Sequence, residues 1–244
     1  MTQRPTVLFI SQLGEPGSYD PMMFCRLPGG DDETVWMRLC LESLGLGERI
    51  AYRSIRVSGG EALPDVAGID AVILGGSIAS VHDGFEWQAR TVAFLRAFRA
   101  TGRPYFGICG GHQLASVLLG GSVGVNPGGV TAGSYPVERT AAGEGHFLFD
   151  GFAPEAPFHW GNYDRVETPP PGSTVLATRP GLPAAALDHG GKWLSVQFHP
   201  EATADLFCAV WAKSDPAKTA NYRLIPDCER MLLNFLVGTG VLPA

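Results

Sequence analysis

Apolar and polar positions alternate along the chain in two registers. Uninterrupted apolar, β-branched runs bounded by glycine or proline stand at 6–11 (TVLFIS), 70–76 (DAVILGG) and 104–108 (PYFGI). Such runs are what strands buried on both faces of a parallel sheet require. Between them the period is helical. In ETVWMRLCLESLG, from Glu33, the spacing predicts a face of Val35, Leu39 and Cys40 ending at Gly45; in EWQARTVAFLRAFRATG it gathers Val92, Leu95 and Phe98 and ends at Gly102. Strand, helix, strand, helix predicts an α/β fold with a doubly wound, mostly parallel central sheet and flanking helices.

The second half reads differently. SYPVERT, STVLATR and KWLSVQF are short β-like pieces, followed by helical stretches at 203–213 and 227–237. They predict a β-rich edge on the same sheet. There is no internal repeat or low-complexity tract, and ETPPPGS at 167–173 reads as a rigid surface connection, so residues 1–244 are taken as one domain. The glycine- and proline-rich stretch 14–32 is long for a strand-to-helix loop, and such loops at the carboxyl edge of a sheet often shape a site.

Composition narrows the function classes. A chain of 244 residues, 45% of them hydrophobic, can bury one large core. Its formal charge of -6, with 18 lysines and arginines and no basic run, gives no footprint for nucleic acid. No apolar run reaches the roughly 20 residues a membrane span needs, and the N-terminal stretch is too soon broken for a secretion signal, so a cytoplasmic protein is expected. The five cysteines (Cys25, Cys40, Cys109, Cys208, Cys228) are odd in number and form no close pair, which predicts neither a disulfide framework nor a zinc site. No metal or cofactor is expected, and the partner to look for is a small molecule or a protein.

One cysteine stands apart. YFGICGGHQLA, at 105–115, places Cys109 in a G-x-C-x-G turn between a strand and a helix, the thiol counterpart of a nucleophile elbow. Neighbours without Cβ atoms let strand and helix approach closely while the turn residue takes a strained conformation. The following helix sets Leu114, Val117 and Leu118 against the sheet and aims its positive end at the sulfur, which favours a thiolate. Ninety residues on, KWLSVQFHPEA runs into His199-Pro200-Glu201. A residue before proline is extended, and positions two apart in extended chain point the same way, so His199 and Glu201 can meet. A carboxylate on one imidazole nitrogen leaves the other to take a proton from a thiol.

These two motifs resemble those of the class I glutamine amidotransferases, whose glutaminase domains carry a G-x-C-x-G-x-Q elbow and a later H-P-E. The resemblance extends to DAVILGGSIASVHDG (70–84), similar to the family's glycine loop after its third strand, and to FHWGNYDRV (158–166), which lies where many members have F-H-W-H-G-D. It implies a flavodoxin-like sheet. It also implies Cys109 as nucleophile, His199 as general base and later acid, and Glu201 as its orienter. The amides of Gly76 and Gly110 would form the oxyanion hole, and Gly75, Ser77, Gln113, Asn162 and Tyr163 would contact or shape the substrate site. The implied reaction hydrolyses the γ-amide of glutamine through a γ-glutamyl thioester and releases ammonia.

Departures leave alternatives open. Gly161 stands where many relatives have histidine, Asn162-Tyr163 replace Gly-Asp, and VTAGSYPV (130–137) has Thr131 and Ser134 in place of the family's acid and tryptophan. About forty residues follow Glu201, and no synthetase-like segment is visible. Either a separate ammonia-accepting synthase subunit receives the product, or the chain hydrolyses a γ-glutamyl conjugate. In the second case Tyr19, Met22, Met23 and Phe24 of the 14–32 loop would enlarge the pocket. A non-catalytic binding module is weaker, because nucleophile and base are both present. A cysteine-dependent α/β-hydrolase is disfavoured because its acid would lie well upstream of its histidine. Outside the triad, His112 belongs to the elbow helix, and His82, His146 and His189 read as solvated loop residues.

Overall fold

The computed structural model describes residues 3–243. In chain order its strands and helices are β1 (Thr6–Ser11), α1 (Glu33–Ser43), β2 (Ala51–Arg56), β3 (Ala71–Leu74), α2 (Glu86–Ala100), β4 (Tyr105–Ile108) and α3 (Gly110–Leu118). There follow β5 (Ser122–Val125), β6 (Thr131–Pro136), β7 (Glu138–Arg139), β8 (Pro157–Asn162), β9 (Asp164–Thr168), β10 (Thr174–Arg179), β11 (Leu182–Asp188) and β12 (Trp193–Val196). Helices α4 (Ala204–Ser214) and α5 (Arg230–Gly238) close the order.

Alternation within the strands builds two apolar layers. Val7 and Phe9 of β1, Ile73 of β3, Phe106 and Ile108 of β4 and Leu194 and Val196 of β12 pack with α1 and α5. Their neighbours Leu8, Ile10, Val72, Leu74, Tyr105 and Trp193 pack with α2 and α3. Both faces of these strands are therefore covered, which is why their sequences are apolar throughout. The main sheet runs β2-β1-β3-β4-β12-β11-β10-β7. Its first five strands are parallel, in the flavodoxin-like order, and β11, β10 and β7 add an antiparallel edge. The fold class is the doubly wound, mostly parallel one that the pattern predicts.

Some details differ from the sequence expectations. The β-rich half is only partly on the main sheet, since β5 pairs with β9 and β6 with β8 as separate two-stranded ribbons. Helix α1 is phased by its cap: Asp32 accepts the Thr34 amide, and the face turned inward is Glu33, Met37 and Leu41, with Cys40 packed partly buried beside them, while Val35 and Leu39 lie off it. Leu39 is left 37% exposed. In α3 every residue from Gly110 to Ser116 is buried; Leu114 and Leu118 pack against the sheet as expected, and Val117 instead points outward at 39% exposure. Helix α2 buries Trp87, Phe94, Leu95 and Phe98, with Val92 partly covered beside them. Among the described residues no helix is long and apolar enough to cross a membrane.

Candidate active site

The carboxyl ends of the parallel strands converge on one cleft. Strand β4 ends at Cys109, whose backbone sits at φ 49, ψ -101, a left-sided conformation that costs a non-glycine residue about 1–3 kcal/mol. Main-chain bonds hold it there. The Cys109 amide donates to Val196 of β12 (2.8 Å), and its carbonyl accepts the Gln113 amide (3.0 Å) from the first turn of α3. The glycines are required sterically. A Cβ at Gly107 would stand 2.7 Å from the Gly111 main chain, one at Gly110 would stand 2.8 Å from the Ser77 side chain, and one at Gly111 would overlap the Leu74 carbonyl.

Beyond β12 the chain bends at Gln197 and Phe198 and bridges at His199, whose amide donates to the His159 carbonyl of β8 (2.9 Å). His199 Nδ1 lies 2.7 Å from Glu201 Oε1, both side chains being nearly buried, so its other nitrogen is left for the cysteine. Burial by itself would lower the His199 pKa. The Glu201 carboxylate and then the facing Cys109 sulfur outweigh it and hold the imidazole well above its ordinary range. The structure thus brings Cys109, His199 and Glu201 together, and it adds Gln197, whose amide nitrogen donates to Cys109 Sγ at 3.5 Å. Gln197 lies in the bend between β12 and His199, and nothing in the local pattern pointed to it.

The glycine loop after β3 lies against the elbow. A Cβ on Gly76 would be 2.9 Å from the His199 ring and 3.7 Å from Cys109 Cβ, so only glycine lets the triad close at this point. Gly110 is the first residue of α3, where an amide has no intrahelical acceptor. The Gly76 amide faces the carboxyl of Glu33. Gly75 departs from expectation. It is not on the wall of the cleft but inside the fold, its amide donating to Ile10 (3.0 Å) and its carbonyl accepting from Gly111 (3.1 Å) and Gln12 (2.9 Å).

In front of the triad is a cavity of about 510 Å³. Ser77, Gln113, Asn162 and Tyr163 all line it. Gln113 spends its amide nitrogen on the Asp164 carbonyl (2.9 Å) and Gln197 Oε1 (3.1 Å), leaving its oxygen for a ligand. Asn162 also donates to the Asp164 carbonyl (2.9 Å), its own oxygen being buried without a partner, and the Tyr163 ring is 60% exposed at the mouth. Tyr19, Met23 and Phe24 of the long loop form part of the wall, whereas Met22 is 61% exposed outside it.

Two wall residues had no sequence signal. Phe207 of α4 occupies the space that any side chain at 161 would need, stacks on Tyr222 (5.0 Å) and meets the His199 ring edge-on (5.1 Å). Glu33, the first residue of α1, is turned inward and lines the cavity. Of the remaining histidines, His189 is a correction. It is buried, not solvated, and its Nε2 is hydrogen-bonded to Ser195 Oγ (2.7 Å), which also binds His112 Nδ1 (2.8 Å). That chain ties the elbow helix to β12. His82 is exposed and bonded to the Val123 carbonyl, whereas His146 also departs from expectation, its side chain being largely covered and accepting the Leu148 amide. Among the described residues no group of three or more His, Cys, Asp or Glu is placed to hold a metal.

The other thiols lack this setting. Burial, aided by nearby acids, pushes Cys228 up to about 12 and Cys40 higher still, while Cys25 lies exposed on the long loop.

Comparison with known proteins identifies the family. The family described as Glutamine amidotransferase class-I matches residues 47–211, more than half of the chain. The glutamine-hydrolyzing GMP synthase of Aeropyrum pernix is 35% identical over 161 residues, covering 66% of this chain and 29% of that protein. The chain thus spans less than a third of the length of that relative. The gamma-glutamyl-L-1-hydroxyisopropylamide hydrolase of a Pseudomonas species is 33% identical over 147 residues, covering 54% of this chain and 47% of that one. Among solved structures, a glutamine amidotransferase from Thermotoga maritima superposes with a TM-score of 0.75 at 18% identity, covering 97% of this chain and 98% of the other, a likeness of fold.

Proposed function

The chain belongs to the class I glutamine amidotransferase family, and from that premise we propose that it hydrolyses the γ-amide bond of a γ-glutamyl substrate, glutamine being the simplest, through a thioester on Cys109. The observation that carries this reading is the Cys109, His199 and Glu201 constellation at a strained elbow, opening on a cavity large enough for the substrate. The Cys109 thiolate attacks the amide carbon, and the oxyanion is held by the Gly110 and Gly76 amides. Protonated His199 gives its proton to the leaving nitrogen as the C–N bond breaks. It then takes a proton from water, which attacks the thioester, and the C–S bond breaks to release glutamate and regenerate the thiolate. Glu201 holds the imidazole on Nδ1 throughout. Gln113, Asn162 and Tyr163 hold the glutamyl end and Ser77 shapes the wall beside it.

When glutamine is the substrate the product is ammonia, and a separate synthase subunit would consume it; similarity to a glutamine-hydrolyzing GMP synthase supports this. The breadth of the cavity favours a second reading, a γ-glutamyl conjugate with a larger amine, and the named activity of the Pseudomonas relative supports that one. Specificity constants for glutamine and a series of γ-glutamyl amides, with and without an acceptor enzyme, separate the two. A chain that hydrolyses none of them, and whose Cys109→Ala variant behaves identically, is not an enzyme of this kind.

A further inference from the structure

The segment Gly75–Ser77 runs between two helices. On one side Gly111 of α3 donates to the Gly75 carbonyl and Gly110 abuts Ser77. On the other, the carboxyl of Glu33 lies flat on Gly75, where an added Cβ would meet Oε1 at 2.6 Å and Oε2 at 3.0 Å. Gln113 projects from α3, so Glu33 and Gln113 stand on opposite sides of this segment, and both line the cavity. A substrate held by its glutamyl end at Gln113 and acylating Cys109 therefore directs its leaving nitrogen toward α1 and the long loop. That side of the cavity is apolar, lined by Tyr19, Phe24, Trp36 and Met37, with Glu33 as its acid.

Glu33 is only 7% exposed, and its Oε2 is buried with no hydrogen-bond partner. A carboxyl so placed is costly unless something binds it. Burial, together with the charge of nearby Glu201, pushes its pKa up to about 8 against the influence of Ser11, His199 and the Gly76 amide, so the group is ready to pair as neutral acid or as anion. Among the described residues lining the cavity, His199 is the one with a basic side chain, and its Nδ1 is bonded to Glu201, so Glu33 has no lysine or arginine partner there.

We propose that Glu33 is a specificity-determining residue for the leaving amine, selecting γ-glutamyl amides whose amine carries a hydroxyl or amino donor on a short apolar stem. The inference rests on Cys109 being the acylated nucleophile. A donor reaching Glu33 satisfies the orphaned oxygen, and it draws the carboxyl from the Gly76 amide, which is then free for the oxyanion.

The test uses the whole chain and measures kcat/KM for glutamine, γ-glutamyl ethylamide, γ-glutamyl 2-hydroxyethylamide and γ-glutamyl 2-aminoethylamide. The wild type is expected to favour the two donor-bearing amides over the ethylamide by at least about tenfold, the discrimination one hydrogen bond to a buried group gives. Glu33→Leu should bring both ratios close to one. Glu33→Gln should lose the preference for the aminoethyl amide and keep that for the hydroxyethyl amide, because the carboxamide binds a hydroxyl and cannot become an anion. A merely structural role would not separate those two ratios. Hydrolysis of glutamine and the ethylamide with no preference in the wild type, or a preference unchanged in both variants, overturns the assignment while leaving the thioester reading in place. Absence of any hydrolysis and of any acyl adduct on Cys109 overturns both. The wild-type series needs no variant, so a misfolded substitution does not shield the proposal.

Discussion

His199 carries the pH-sensitive part of the site. Its imidazole is held above its ordinary pKa by Glu201 first among the charged partners, so Glu201→Gln should move its titration downward, a shift that NMR of the labelled imidazole would read directly. His199→Asn should lower kcat/KM by about 10²–10⁴-fold, the range of a general acid–base group, and Glu201→Gln by less, since the amide oxygen still accepts from Nδ1. Near-wild-type rates in both variants would remove these roles. Cys109, His199 and Glu201 were legible as residues because the chemistry needs those types at that spacing. Glu33 was not, because an acid at the start of a helix is the ordinary way to oppose a dipole. Only the phase of Met37 and Leu41 on the same face reveals that it turns inward.

The elbow and the α4 wall are matters of elements packed closely. Gly111→Ala would drive a Cβ into the Leu74 carbonyl, and because that obstacle is main chain the strand and helix must separate. The expected result is a loss of about 1–3 kcal/mol in urea unfolding, the usual range for overpacking. Gly161 and Phe207 form a compensating pair: Gly161→His alone should destabilise the fold, and the cost should shrink when Phe207→Ala makes room, a coupling that a double-mutant cycle measures. The sequence showed that position 161 departs from the family pattern but not what fills it, since Phe207 comes from a helix more than forty residues away. The helices and the strands β1, β3, β4, β6, β7, β10 and β12 were legible from period, whereas β2, β5, β8, β9 and β11 carry too short or too mixed a pattern to stand out. The exit of β6 and β8 into their own ribbon was not, because alternation fixes which side chains share a face and says nothing of which strand is the partner.

At the scale of the molecule, buried histidines set the acid limit of stability. Burial first, helped by neighbouring cationic or histidine groups, lowers His112 to about 3 and His159 and His189 to about 4. Above the unfolded value near 6.5 these groups are neutral in both states and impose no penalty. As pH falls below it the unfolded chain takes up protons that the native one refuses, so stability declines toward pH 4 by ~1.4 kcal/mol per pH unit for each proton involved. His199 has the opposite sign: its contribution is fully present below about 6.5 and is lost as pH rises through its raised pKa. Urea midpoints across this range should fall on the acid side, and His189→Asn should flatten that fall. The doubly wound sheet was legible from apolar runs and helix-period segments. The burial of His189 was not, because in a polar loop nothing local announces that its ring reaches Ser195 beneath the elbow.

The central claim is that Cys109 carries the acyl group. Rapid acid quenching of the wild-type chain during turnover of glutamine or a γ-glutamyl amide, followed by intact-mass measurement and peptide mapping, reads it most directly. The account predicts one γ-glutamyl group on the peptide containing Cys109, absent in Cys109→Ala together with the activity. An adduct on Cys25, Cys40, Cys208 or Cys228, or undiminished hydrolysis by Cys109→Ala, would contradict it.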